Sequence, residues 1–98
     1  MRGFFMPHNV YILQSQKDFG YYIGETSDVE ARLKFHNNGL QRSTRHRTPF
    51  HIVVTVVYPD RRTALKKEKE IKSWKGGIKF KKLIEDSSPA RRGTTFGT

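Results

Sequence analysis

Tyr21-Tyr22-Ile23-Gly24-Glu25-Thr26-Ser27-Asp28 marks the passage from a strand into a helix. Its aromatic and β-branched start, ending on a glycine, reads as a short strand. Gly24 sits where a missing side chain lets another group approach the backbone. Upstream, Val10 to Gln14 reads as a first strand, with Tyr11 and Leu13 on one face and Val10 and Ile12 on the other. The intervening Ser15-Gln16-Lys17-Asp18-Phe19-Gly20 is a turn, so the two strands form a hairpin. Tyr21 faces opposite Tyr22 and reads as a packing residue.

Downstream, Ser27-Asp28-Val29-Glu30 has the form of a capping box. It predicts a helix from Asp28 to about Asn37, stopped at Asn37-Asn38-Gly39 because glycine takes the left-handed cap cheaply. Val29, Leu33 and His36 make its inward stripe. Arg32 lies roughly 60° to one side of Val29 and one turn before His36, on the edge of that stripe. Leu40 to His51 reads as a polar basic loop carrying Arg42, Arg45 and Arg47, long enough to be functional or mobile. Ile52 to Tyr58 is a third strand, apolar on both faces, which places it centrally or covered on both sides. Arg62 to about Lys75 is a second helix, in which Glu68 falls inside the apolar arc between Ala64 and Ile71. Gly76-Gly77 breaks it, and Ile78 to Glu85 forms a short third helix. The element order is therefore β-β-α-β-α-α.

A chain of 98 residues makes one small domain with a modest core. Residues 8–85 are expected to form it, with 1–7 a flexible lead-in and 86–98 a disordered tail of Ser, Pro, Arg, Gly and Thr. The absence of cysteine excludes a disulfide scaffold, a thiolate zinc site and a cysteine nucleophile, and fits a cytoplasmic location. The longest apolar run, Ile52 to Val57, is far too short to span a bilayer. A formal charge of +10 points first to a polyanion, most often nucleic acid.

Taken in order, these pieces resemble the GIY-YIG endonuclease superfamily, and look most like its small stand-alone prokaryotic members. The first signature triplet corresponds to Asn9-Val10-Tyr11, of which the tyrosine is identical, and the second to Tyr22-Ile23-Gly24, which is identical throughout. The family arginine on the first helix matches Arg32, the histidine or tyrosine one turn later matches His36, and the metal-binding glutamate of the second helix matches Glu68. The resemblance covers about Pro7 to Leu83. It implies an α+β fold in which a three-stranded antiparallel sheet is flanked by helices. It also implies phosphodiester hydrolysis, with DNA repair or recombination as its setting. Two departures stand out: Glu25 follows the second triplet where some relatives place a lysine, and no asparagine follows Asn38.

Phosphodiester hydrolysis needs an activated water, neutralised charge on the phosphoryl group and help for the leaving oxygen. With the resemblance, Glu68 is the expected ligand of one Mg²⁺ or Mn²⁺, since magnesium often takes a single protein carboxylate and keeps its waters. The bland alternative is a glutamate paired with Arg32 or a lysine. Arg32 offers a planar fork of permanent charge to non-bridging oxygens, unless a salt bridge to Asp28 or Glu30 occupies it. Tyr11 is the expected general base and Tyr22 a ligand of phosphate or water. His36 either hydrogen-bonds or relays a proton for the base tyrosine, or is a satisfied core histidine. Arg42, Arg45, Arg47, Lys67 and Lys72 would hold the substrate backbone without reading sequence. The expected partner is nucleic acid, DNA ahead of RNA, recognised by structure or single-strandedness, with no role at a membrane. The alternatives are a catalytically weak nucleic-acid-binding module with the same fold, and a basic interaction domain for acidic surfaces.

Overall fold

The computed structural model describes residues 6–87. The expected lead-in and tail therefore fall mostly outside the described residues. The elements run β1 (His8–Ser15), β2 (Tyr21–Thr26), α1 (Val29–Asn37), a 3₁₀ turn (Arg45–Arg47), β3 (Phe50–Tyr58), α2 (Arg61–Trp74) and α3 (Ile78–Asp86). The fold is a small α+β domain in the expected order, and α3 takes in Asp86, one residue past the expected boundary.

The sheet is antiparallel with strand order β2-β1-β3. The central strand is thus β1, and β3 lies at an edge, which corrects the first of its two expected positions. A bulge explains why β3 nonetheless reads as a fully buried strand. Ile12 pairs with Val54 but Leu13 pairs with Ile52, so Val53 is the extra residue and the side-chain alternation slips there. Ile52 then packs on one face of the sheet while Val53 and Val54 both reach the other.

Each face of β1 anchors its own cluster. Val10 and Ile12 pack with Ile23, Val54, Ala64, Ile71 and Phe80, beneath α2 and α3. Tyr11 and Leu13 pack with Phe50, and Tyr22, Val29, Leu33 and Ile52 close over them on the α1 side. Tyr21 packs edge-to-face on Phe80 at 5.2 Å between centroids, as a packing residue should.

The start of α1 also differs from expectation. Asp28, not Ser27, is the N-cap, its carboxylate accepting from the Ala31 N–H at 3.0 Å. Thr26 supplies the reason. Its hydroxyl accepts from the Asp28 N–H at 3.2 Å, which holds the chain extended for one residue more. The other end is as expected: Gly39 at φ 73 donates to His36 O, and Leu40 donates to Phe35 O. The long basic loop is pinned rather than free. Ser15 Oγ donates to Arg47 O at 2.6 Å, and Asn37 exchanges two hydrogen bonds with the Phe50 backbone.

Candidate active site

Tyr11 and Gly24 are directly opposite each other on β1 and β2. The Tyr11 ring crosses the glycine so closely that a Cβ there would lie 2.5 Å from the phenol oxygen and 2.6 Å from Cζ. Gly24 is what lets a buried tyrosine extend over the neighbouring strand. Its oxygen then stands 3.3 Å from His36 Nε2. The Tyr22 ring lies 6.3 Å from that of Tyr11 and 4.7 Å from the imidazole, and its hydroxyl accepts from Gln41 Nε2 at 3.3 Å. Tyr11, Tyr22 and His36 therefore gather on the α1 side of the sheet.

His36 is fully buried, and so is its Nδ1 partner Thr44 of the basic loop. Thr44 Oγ1 lies 2.9 Å from His36 Nδ1 and 3.4 Å from Gln41 O. Gln41 O already accepts from the Thr44 and Arg45 N–H groups, at 3.1 and 3.0 Å. The two imidazole nitrogens thus face the Thr44 hydroxyl and the Tyr11 oxygen, each of which can donate or accept. With its N–H on Nε2, the neutral imidazole donates to the Tyr11 oxygen.

Burial, followed by the nearby Arg32 charge, holds His36 below the ordinary imidazole value of 6.5. Burial also pushes the Tyr11 phenol above its ordinary range, assisted by Tyr22, Glu68 and Glu25 and opposed by Arg32. The imidazole shift makes stability pH-dependent. The unfolded chain takes up a proton at His36 more readily than the folded one, so its contribution is complete above 6.5 and is lost as pH falls below that value. Asp18, lowered to about 2 by its Arg47 partner, acts only in a more acidic window. Melting temperatures at pH 7.5 and 5.0 are expected to fall on acidification in the wild type. The fall should be clearly smaller in His36→Gln, and equal falls would contradict the assignment.

Arg32 stands with its guanidinium 5.3 Å over the Phe35 ring, beside a shallow groove of about 340 Å³ that Thr26 and Ala31 help to line. Among the described residues it forms no ion pair, so neither Asp28 nor Glu30 occupies it. Glu68 is where the apolar arc placed it, between buried Ala64 and Ile71, with its side chain 16 % exposed. One of its oxygens lies 2.9 Å from Lys72 Nζ, so the lysine pairing weighed as the bland alternative is present.

No group of three or more His, Cys, Asp or Glu side chains among the described residues is disposed to hold a metal. The donor chemistry fits a cation that keeps its own water. Glu68 offers one carboxylate, and magnesium commonly binds through one or two.

The cationic residues divide. Arg42 and Arg45 are exposed and, among the described residues, without a carboxylate partner. Arg47 is paired with Asp18 at 2.8 Å, Lys67 with Glu70 at 3.3 Å, and Lys72 with Glu68. Sequence reasoning missed Thr44 and Gln41, since a threonine and a glutamine in a basic loop carry no signal of burial or contact. It also missed the destination of Glu25. That side chain is 8 % exposed, bonded to His8 Nδ1 and 3.8 Å from Arg61 Nε. The carboxylate that replaces a lysine of some relatives is thus tied into a cluster of its own.

A domain of this order, with these side chains gathered on β1, β2 and α1, defines a class. The model of the GIY-YIG catalytic domain matches residues 7–82, and the chain belongs to that family. Within it, the chain is similar to the UPF0213 protein BH0048 of Halalkalibacterium halodurans, 43 % identical over 68 residues, which cover 68 % of this chain and 71 % of that one. It is also similar to a UPF0213 protein of Staphylococcus aureus, 37 % identical over 79 residues that cover 80 % and 95 % of the two chains. The solution NMR structure of the UPF0213 protein BH0048 from Bacillus halodurans matches with a TM-score of 0.56 at 34 % identity, over 95 % of this chain and 99 % of that one.

Proposed function

We propose that this chain is a metal-dependent endonuclease that hydrolyses phosphodiester bonds in nucleic acid, DNA ahead of RNA, with low sequence specificity. The observation that carries the reading is the placement of the Tyr11 oxygen. It crosses Gly24 to stand 3.3 Å from His36 Nε2, on the side of the sheet where α1 carries Arg32, which no carboxylate among the described residues neutralises. Arg32 holds the non-bridging oxygens of the scissile phosphate. The phenolate form of Tyr11, stabilised by the His36 N–H and by Arg32, takes the proton of the attacking water. Tyr22, fixed by Gln41, orients that water or a phosphate oxygen. Glu68 would hold one Mg²⁺ or Mn²⁺, which when bound supplies positive charge to the phosphoryl group and its leaving oxygen. Arg42 and Arg45 contact the substrate backbone, joined by Arg47, Lys67 and Lys72 as their carboxylate partners give way. None of the described helices is long and apolar enough to cross a membrane. The lack of cysteine suits work in a reducing cytoplasm.

The raised phenol and the Lys72 grip on Glu68 favour one alternative, a nucleic-acid-binding module with little turnover. A panel of single-stranded, duplex, flapped and branched DNA, with matching RNA, separates the two in Mg²⁺ or Mn²⁺. Metal-dependent cutting of flapped or branched substrate, abolished by EDTA, is expected. Salt-sensitive binding with no cutting on any substrate would leave the binding module.

A further inference from the structure

The loop joining β1 to β2 breaks a local rule. Phe19 has φ 63, in the left-handed region where glycine or asparagine normally sits. A bulky residue stays there only when its surroundings impose it. Here Phe19 N donates to Ser15 O at 3.0 Å, Gln14 Nε2 donates to Phe19 O at 3.0 Å, and Gly20 N donates to Asp18 Oδ1 at 2.8 Å. The strain gains nothing for the core, because Phe19 is 70 % exposed. Local rules broken without a packing return are characteristic of functional positions.

Phe19 stands at the mouth of an open groove of about 810 Å³, between the hairpin loop and the corner where α2 meets α3. Tyr21 and Phe80 line it, and Ile78, 83 % exposed, stands beside them. Lys75 and Lys81 supply cations, Arg47 being paired with Asp18, against the single carboxylate of Glu85 among the described residues of the lining. Lys75 is held in place by the Tyr21 carbonyl at 2.8 Å.

We infer that this groove binds an unpaired nucleotide of a single-stranded or flapped nucleic acid, its base stacked on Phe19 and its phosphates on Lys75 and Lys81. An exposed aromatic face beside a cationic rim is the combination that single strands use, since only an unpaired base offers a free face. The sheet connects the groove to the site. Tyr21 lines the groove, Tyr22 faces the Tyr11 side, and β2 is an open edge strand. Gly24 lies three residues along that edge, about 10 Å away. The choice of nucleic acid as ligand rests on the nuclease reading, and the groove thereby gives that reading a substrate class.

The test is fluorescence-anisotropy binding of oligo-dT and of an equal-length duplex to the full chain, with EDTA present so that nothing is cut. Phe19→Asn should weaken oligo-dT binding about tenfold or more. It should leave duplex binding unchanged and raise the melting temperature by about 4–8 °C, because asparagine accepts the left-handed backbone. Phe19→Tyr should retain the affinity and Phe19→Leu should lose it, which separates stacking from simple apolar contact. Lys81→Gln should reduce the salt dependence of oligo-dT binding by about 0.7 in slope. Oligo-dT binding unchanged in Phe19→Asn, an equal loss on duplex, or displacement of oligo-dT by an acidic peptide as readily as by unlabelled oligo-dT would overturn the inference. Phe19-dependent binding by a chain that cuts nothing would sink the nuclease reading and keep the groove. Cutting with Phe19-independent binding would do the reverse.

Discussion

Arg32→Ala is expected to slow cleavage about 10³-fold or more while the protein stays folded and binds substrate. A guanidinium placed on a transferring phosphoryl group commonly contributes a factor of about 10³ to 10⁵. Arg32 is suited to that role because its charge is uncommitted. No ion pair among the described residues occupies it, and its one aromatic contact is Phe35 at 5.3 Å. Losing that contact costs about 1 kcal/mol at most. Single-turnover rates at saturating enzyme, read beside an unfolding curve, separate the two effects. Arg32→Lys should recover only part of the rate, since an ammonium lacks the planar fork. A variant that loses rate and stability together would mean that Arg32 is structural.

Gly24→Ala is the second large effect, and it acts on fold and site together. The new methyl would lie 2.5 Å from the Tyr11 oxygen and 2.6 Å from Cζ, with Cε1 at 2.9 Å. The ring cannot withdraw, being buried and packed against Leu13 and Phe50. Overpacking of this kind destabilises by about 1–3 kcal/mol. For a domain of this size each kcal/mol lowers the melting temperature by about 4–8 °C. The phenol must also shift away from His36, and a displacement near 1 Å can cost about 10²-fold in rate. Tyr11→Phe should not rescue the alanine variant, because Cζ itself is in the way. Calorimetry and cleavage assays on the single and double variants check this, and a Gly24→Ala protein that melts and cuts like the wild type would contradict it.

Much of the fold was legible because local signals agreed. The alternation through Val10 to Leu13 assigned both faces of β1 correctly, and the glycine after Asn37-Asn38 marked the end of α1. What was not legible depended on pairing. The Ile52 to Val57 run suggests a central strand, but the continuity of Ile52, Val53 and Val54 comes from a bulge visible only when β3 is set against β1, and Val57 is exposed. The α1 cap shifted by one residue because Thr26 holds the Asp28 N–H, a competition that the Ser27-x-x-Glu30 pattern does not encode. The site divides in the same way. Tyr11, Tyr22, Arg32, His36 and Glu68 are marked by the family resemblance, and the structure gathers Tyr11, Tyr22 and His36 on the α1 side of the sheet. Thr44, which contacts the imidazole at Nδ1, belongs to a loop whose sequence reads as solvent-facing. The pairing of Lys72 with Glu68 was foreseeable from their i, i+4 spacing, yet only coordinates show that it forms.

Whether Glu68 serves a divalent ion in cutting, and not merely a lysine in folding, is the sharpest question the site poses. Glu68→Gln answers it, with cleavage of a flapped DNA in Mg²⁺ and equilibrium binding of the same DNA in EDTA measured side by side. The expected result is cutting lost by about 10³-fold or more, a scale set by the charge stabilisation a metal supplies, with affinity retained. Cutting at the wild-type rate would contradict the account and leave Glu68 as the partner of Lys72 alone.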